Sequence, residues 1–329
     1  QPLDRRVCKS SEAKARKAFR PVALPSGETP LQVRPIRIGT RGSQLALAQA
    51  HEVRGRLMEA HGLGEDAFEI VVIKTTGDMI LDRPLAEVGG KGLFTKEIED
   101  ALIEDRIDLA VHSMKDMQTA LPDGLVLGAT LPREDVRDAF LSLKYKSLDE
   151  VPQGAIVGTS SLRRQAQVKR IRPDLQIVGF RGNVQTRLKK LADEVADATF
   201  LACAGLRRLG LADRITSAIP TERMLPAVAQ GAIGIEIRVD DETTARLIAP
   251  LDDQATALCV TAERAFLAKL EGSCRTPIAG LARLQSGVLT FTGETLSPDG
   301  RLHVGSELTG PPSQAASLGV QAAEDILKR

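Results

Sequence analysis

A short apolar strand that breaks at a glycine or serine turn and restarts as a helix, with basic residues at the break, recurs along this chain. Ile36-Arg37-Ile38-Gly39-Thr40-Arg41-Gly42-Ser43 is the first instance. Alternating Ile36 and Ile38 read as a strand. Ser43 stands where an N-cap belongs, before a helix with Leu45, Ala48, Val53, Leu57 and Met58 on its apolar side. Ile156-Val157-Gly158-Thr159-Ser160-Ser161 leads into a helix opened by Leu162-Arg163-Arg164. Gln176 to Phe180 ends at Arg181-Gly182-Asn183, with Arg187 one helical turn on. Thr199 to Ala204 runs into Gly205-Leu206-Arg207-Arg208. Such units require sheets covered by helices, an α/β fold. In open α/β sheets ligands bind beyond the carboxyl ends of the strands, and helix N-termini favour anions.

Between these units lie two further stretches with chemistry. Phe68 to Thr75 is a β-branched strand ended by Thr76-Gly77-Asp78. Gly89-Gly90-Lys91-Gly92-Leu93-Phe94 then leads into a helix from Thr95 to Asp105. A phosphate loop needs G-x-x-x-x-G-K-[ST] after a strand, and that pattern is absent, so a lid is the better reading. Ile107 to Val111 is the next strand, ending in His112-Ser113-Met114-Lys115-Asp116-Met117. A carboxylate at such an address serves proton transfer or faces a developing cation. Its bland alternative is a surface ion pair worth under about 1 kcal/mol.

The 329 residues suit two or three domains. Pro132 to Phe140 reads as a charged crossing, and Met224 to Ile235 as a linker and strand that return to the first unit. The expectation is three domains: two lobes like those of periplasmic binding proteins, joined by a double hinge, plus a small α/β C-terminal domain. The first lobe takes residues 36–131 and 232–249, the second 137–225, and the third domain 254–329. Gly287–Thr295 and Arg301–Thr309 read as a hairpin around Ser297-Pro298-Asp299-Gly300, with a last helix from Ser313 to Lys328. Residues 1–35 stand apart. Arg5, Arg6, Lys9, Lys14, Arg16, Lys17 and Arg20 outnumber Asp4 and Glu12 there, without apolar periodicity. That composition fits either the remnant of an organelle transit segment or a disordered basic tail, and Gln1 fits a processed N-terminus.

Charge excludes some partners. Lys+Arg is 44 and Asp+Glu is 43, so net charge predicts no nucleic-acid partner, and with one Tyr and no Trp there are few stacking platforms for single strands. No apolar run reaches the ~18 residues of a membrane span. His51, His61, His112 and His303 form no HxxxH pattern, and the cysteines form no CxxC pair, so no metal site is expected. Cys203 and Cys259 lie in apolar surroundings and read as core residues. Cys274 differs. In Glu271-Gly272-Ser273-Cys274-Arg275-Thr276-Pro277 it sits on a turn beside a cation that favours thiolate. On that stretch alone an inert loop cysteine is the commoner outcome.

Arg41, Arg163, Arg164, Arg181, Arg187 and Arg208 would line one cleft, and guanidinium groups take carboxylates bidentately. The economical reading is a polyanionic substrate handled next to a covalent thiolate anchor. The motifs already quoted, with Ala204 to Leu209 and Gly272-Ser273-Cys274-Arg275, occur in the order found in porphobilinogen deaminases. The chain resembles that family from about Ile36 to Lys328. The resemblance implies that four porphobilinogen units are joined head to tail, with loss of ammonia, into the linear tetrapyrrole hydroxymethylbilane. It implies a dipyrromethane cofactor held as a thioether by Cys274, with Asp116 as the catalytic carboxylate. It assigns the cofactor to Ser113, Lys115, Thr159, Ser160, Ser161, Arg163, Arg164, Arg181 and Gly182. It assigns the substrate to Arg41, Ser43, Arg187 and Arg208, with Lys91 on the lid. It also implies a monomer. Thr276-Pro277 and Leu225 to Gly231 look closest to plastid members, which favours a chloroplast stroma and chlorophyll as well as heme supply; bacterial cytoplasm is the alternative. The main competitor is a non-enzymatic two-lobed receptor for a polycarboxylate, which would need neither Asp116 nor a covalent adduct.

Overall fold

The computed structural model describes residues 34–79, 92–270 and 277–329. Lys91, Cys274 and the basic segment before residue 34 lie outside them.

The first sheet holds β1 (Ile36–Arg41), β2 (Phe68–Ile73), β3 (Leu109–Ser113), β4 (Leu125–Thr130) and β10 (Ile233–Arg238), in the order β2-β1-β3-β10-β4. The second holds β5 (Asp138–Leu141), β6 (Ile156–Gly158), β7 (Gln176–Val178), β8 (Ala198–Ala202) and β9 (Ser217–Ala218), in the order β7-β6-β8-β5-β9. The two sheets share a pattern. Three parallel strands are followed by one antiparallel strand, β10 against β3 and β5 against β8. Each antiparallel strand lies next to a crossing between the sheets, so the chain passes between the lobes twice. The stretch read as a charged crossing thus ends in β5, because Ala139, Phe140 and Leu141 are buried in the second lobe. A third sheet, β11 (Ile278–Gln285), β12 (Val288–Leu296) and β13 (His303–Gly310), is wholly antiparallel. The hairpin expected there is present, with β11 as an added partner.

Nine helices are described: α1 (Gln44–His61), α2 (Thr76–Met79), α3 (Lys96–Ile103), α4 (Leu162–Ile171), α5 (Val184–Ala192), α6 (Cys203–Arg208), α7 (Glu242–Ile248), α8 (Gln254–Lys269) and α9 (Ala315–Leu327). Side-chain caps fix the starts of those that open on the cleft. Ser43 accepts from the Ala46 N–H, Ser161 from Arg164 and Asn183 from Thr186. Among the described residues no helix is long and apolar enough to cross a membrane.

One core cluster ties the first lobe to the third domain. Met114 and Met117 pack with Val228, Val260, Phe266 and Phe291, and the two phenyl rings stand 4.9 Å apart. Burying each methionine stabilises this junction by roughly 1.5–3 kcal/mol. Cys203 and Cys259 are buried as expected, and burial pushes the Cys203 thiol up to about 11.

Candidate active site

The Met114-Lys115-Asp116-Met117 turn explains how a carboxylate comes to face the cleft. Its two methionines anchor in the core, and the single 3-10 turn Met114–Asp116 leaves Lys115 and Asp116 outward. Gly234, paired beside His112 on β10, leaves the room that the Met114 side chain occupies. Asp116 is about one third exposed, and its Oδ2 lies 3.8 Å from Nη1 of Arg41.

Arg41 is held from three sides. Its Nε donates to Asp78 at 3.1 Å, its Nη2 also bonds Asp78, and its guanidinium lies 4.1 Å from the centre of the Phe94 ring. Burial would raise the Asp78 carboxyl, but Arg41 and Thr75 hold it below its ordinary value. Gly77 lets Phe94 come close: a Cβ there would meet the ring. Arg41 and Phe94 wall a cavity of about 50 Å³ with Ser43, Gln49, Thr95, His112, Ser113 and Asp116. Ser113 is fixed by Gln49, whose side-chain nitrogen lies 2.8 Å from its hydroxyl.

On the second lobe the assigned residues cluster after β6 and β7. Ser161 N–H donates to the Thr159 hydroxyl at 3.2 Å, and the Ser160 hydroxyl accepts from the Phe180 N–H at 2.8 Å. Gly182 has φ 122°, and a Cβ on it would strike Thr186. Its carbonyl accepts from Nε of Arg187 at 2.9 Å. Burial and the neighbouring Arg164 pull Arg187 down to about 10, with Asp116 opposing. Burial likewise pulls Lys115 down to about 8, with Asp116 opposing and Arg164 adding to the fall. The side chain is exposed along the cleft wall, with the Gln230 side-chain oxygen 3.4 Å from its ammonium. Lys115 and Asp116 of the first lobe thus feel the charges of the second.

Two assigned groups have structural partners that the sequence did not announce. Arg163 and Arg164 converge on fully buried Asp138: Arg163 Nη1 reaches Oδ2 at 2.7 Å, and Arg164 Nη2 reaches Oδ1 at 2.7 Å. Burial would raise the Asp138 carboxyl, yet the two guanidinium groups hold it far below the carboxylate range. Arg208 donates to Glu52 on α1 at 3.2 Å and to the Gly231 carbonyl at 3.0 Å, joining the lobes. Asp138, Gln230, Asp78 and Glu52 were missed. The available signal was an acid at the head of an apolar run, Asp138-Ala139-Phe140-Leu141, and a glutamine inside an apolar linker. Among the described residues no cluster of His, Cys, Asp and Glu is fit to hold a metal ion.

Two α/β lobes with a double crossing thus place a carboxylate among cations at the strand ends, an arrangement suited to an anionic ligand. Residues 36–246 match the family model described as porphobilinogen deaminase, dipyromethane cofactor binding domain, and residues 257–328 match its C-terminal domain. A porphobilinogen deaminase of Paracoccus denitrificans (strain Pd 1222) is 63% identical over 295 residues, covering 90% of this chain and 94% of that protein. The chain belongs to the porphobilinogen deaminase family, whose members are transferases that condense porphobilinogen into hydroxymethylbilane. Solved structures give weaker likenesses. A periplasmic substrate-binding protein of an ABC transporter from Coxiella burnetii is 14% identical at TM-score 0.40, over 68% of this chain and 94% of its own. A methionine-binding protein is 16% identical at 0.40, over 66% and 87%. At those scores they carry no argument.

Proposed function

We propose that Asp116 is the catalytic carboxylate and that the cleft holds a dipyrromethane primer joined through a thioether to Cys274. The observation that carries this reading is Asp116, open to the cleft, 3.8 Å from Arg41 and electrostatically coupled to Lys115 and Arg187. When the porphobilinogen amine leaves as ammonia, the pyrrole nitrogen supplies the electron pair and the ring becomes a cation. A fixed carboxylate beside that N–H stabilises the charge and takes up the proton released when the new bond's ring carbon rearomatises.

The donor set suits a primer that carries carboxylates. Arg164 depresses both Arg187 and Lys115, so positive charge accumulates beyond what local acids neutralise. When bound, the primer would supply the ring carbon that receives the first unit, and each later unit would join the ring added before it. Lys115 and Arg181 would bind the primer's acetate and propionate groups, and Arg187 those of the incoming substrate. The Ser113, Thr159, Ser160 and Ser161 hydroxyls and the open backbone at Gly182 would fix its orientation. Arg163 and Arg164 would act from behind, as one charge unit with Asp138. Arg41 and Ser43 would meet the incoming substrate, Lys91 would lie on the lid, and Arg208 would brace that wall through Glu52. Each added ring brings two more carboxylates, which favours permanently charged arginines.

Intact mass of the denatured protein tests the anchor beside Cys274→Ser. An excess of two pyrrole units, absent from the variant, is expected. An unmodified parent that also gains no mass with porphobilinogen would favour the receptor reading. For location, the basic N-terminal composition supports a plastid stroma, with chlorophyll supply; the bacterial relative supports a cytoplasm as the second reading. Import of a reporter fused to residues 1–35 into isolated chloroplasts separates them. A monomer is the expected state, and light scattering on the eluted protein tests it.

A further inference from the structure

Three buried acid–base groups lie beneath the first turn of α3, and none takes part in the chemistry above. His112 Nε2 lies 3.0 Å from Glu236 Oε2. Glu236 is fully buried, Glu99 is 3% exposed and His112 is 5% exposed. Glu99 Oε1 and Glu236 Oε1 each lack a hydrogen-bond partner. The groups come from three elements: Glu99 from α3, His112 from β3 and Glu236 from β10. An ionised carboxylate with a bare buried oxygen is costly, and a proton on one of the two relieves it.

Glu99 is the member best suited to carry that proton. Burial raises its carboxyl, and Glu236 and Asp100 add to the rise, while Thr95 and His112 oppose it. On the other side of the cluster, Arg264 on α8 attracts Glu236. Glu236 is thus met by a cation and by His112, and Glu99, whose carboxyl is the one raised, is the group to hold the proton.

The location gives the cluster a role. Glu99 N–H donates to the Thr95 carbonyl at 2.8 Å, and Phe94 immediately precedes Thr95. Phe94 covers Arg41, which in turn faces Asp116. We propose that Glu99 holds one proton beside the His112–Glu236 pair and that this proton keeps the first turn of α3 seated, so that Phe94 stays on Arg41 and Arg41 stays beside Asp116. Loss of that proton sets a second buried negative charge next to Glu236 and loosens the seat. The three are positioning residues, and the proposal rests on Arg41 belonging to the substrate cleft.

The test follows KM for porphobilinogen and Tm of the holoenzyme across the pH window that opens at 4.5, the ordinary glutamate value, and runs upward through the raised one. A raised carboxyl means the folded chain keeps a proton that the unfolded chain releases, so stability falls as pH rises through that window. In the parent, KM should rise with pH by at most about tenfold per unit, the limit for one linked proton. Glu99→Gln fixes the neutral form and should flatten both the KM limb and the fall in Tm. Phe94→Leu should remove the difference in KM between parent and Glu99→Gln. An unchanged KM limb in Glu99→Gln, or additive effects with Phe94→Leu, overturns the proposal. Should Glu99→Gln fail to fold, Glu236→Gln serves. Removing the neighbouring charge should move the limb to lower pH, and an unmoved limb overturns the proposal. A parent that consumed no porphobilinogen would overturn the catalytic reading, while the Tm profiles would still decide the proton.

Discussion

Gln230 donates to Asp138 at 3.0 Å, and its side-chain oxygen receives Lys115 at 3.4 Å. One amide therefore connects the turn that carries Asp116 to the carboxylate that organises Arg163 and Arg164. The cleft's positive charge is set from behind, by residues that no ligand would touch.

Asp138→Asn tests that arrangement. The substitution leaves two buried guanidinium groups around a neutral amide, and breaking a buried pair from one side costs roughly 3–5 kcal/mol. Urea denaturation should register a loss of that size. Asp138 is depressed in the fold, so its contribution is present above about pH 4 and fades as pH falls below that. The acid limb of the parent should therefore be steeper than that of the variant. Equal limbs would mean that Asp138 is not the charge holding the two arginines.

Asp116→Asn separates catalysis from folding. The carboxyl is about one third exposed and the Arg41 guanidinium is 3.8 Å away, a contact worth under about 1 kcal/mol. The urea midpoint should stay where it is, while turnover of porphobilinogen falls by about 10²- to 10⁴-fold. Turnover near the parental rate would remove Asp116 from the mechanism.

The elements that organise the cleft were legible because their signals are local. Ser43, Ser161 and Asn183 cap helices after short strands, and each announces itself within a few residues. The two lobes followed from repeated strand–turn–helix units. Other features depend on residues far apart in sequence. Asp138 meets Arg163 across 25 positions, and Glu52 meets Arg208 across 156. Nothing near Glu52 distinguishes it from a solvated helix acid, so its partner could only be found in three dimensions. β11 was hidden for another reason. Ile278-Ala279-Gly280-Leu281-Ala282 is uniformly buried at its start, so the alternation that marks a half-exposed strand is missing there.

Glu263 offers a stability test away from the chemistry. Arg133 donates to its two oxygens at 2.6 and 2.9 Å, and the Ala229 and Ala282 N–H groups donate at 2.6 and 2.8 Å. One fully buried carboxylate thus ties the crossing segment, the linker and β11 to α8. Glu263→Ala leaves Arg133 and two backbone donors without their acceptor. A loss of roughly 3–5 kcal/mol in urea denaturation is expected, and a variant within about 1 kcal/mol of the parent would contradict it.

Arg208→Ala distinguishes a brace from a ligand contact. Its guanidinium is 8% exposed and committed to Glu52 and Gly231, so stability should fall by about 1–3 kcal/mol. Glu52→Gln should fall in the same direction, and the double variant should lose less than the sum. A large rise in KM with unchanged stability would return Arg208 to direct substrate contact.

Lys115 gives the most direct view of the cleft before and after loading. Burial lowers its ammonium to about 8, with Asp116 resisting and Arg164 adding to the fall. Carboxylates laid against it would favour the charged form and return it toward the ordinary lysine value of about 10.4. The sign for stability follows from the same shift. In the unloaded protein the folded chain gives up this proton before the unfolded chain does. Stability therefore rises with pH between about 8 and about 10, and that rise disappears once the primer is bound. Pulsed acetylation across pH, read by peptide mass spectrometry at Lys115, measures the titration itself. The midpoint should lie near about 8 in unloaded protein and at least about one unit higher in loaded protein. Identical midpoints would remove Lys115 from contact with the primer and leave its depressed value to burial and the arginines behind it.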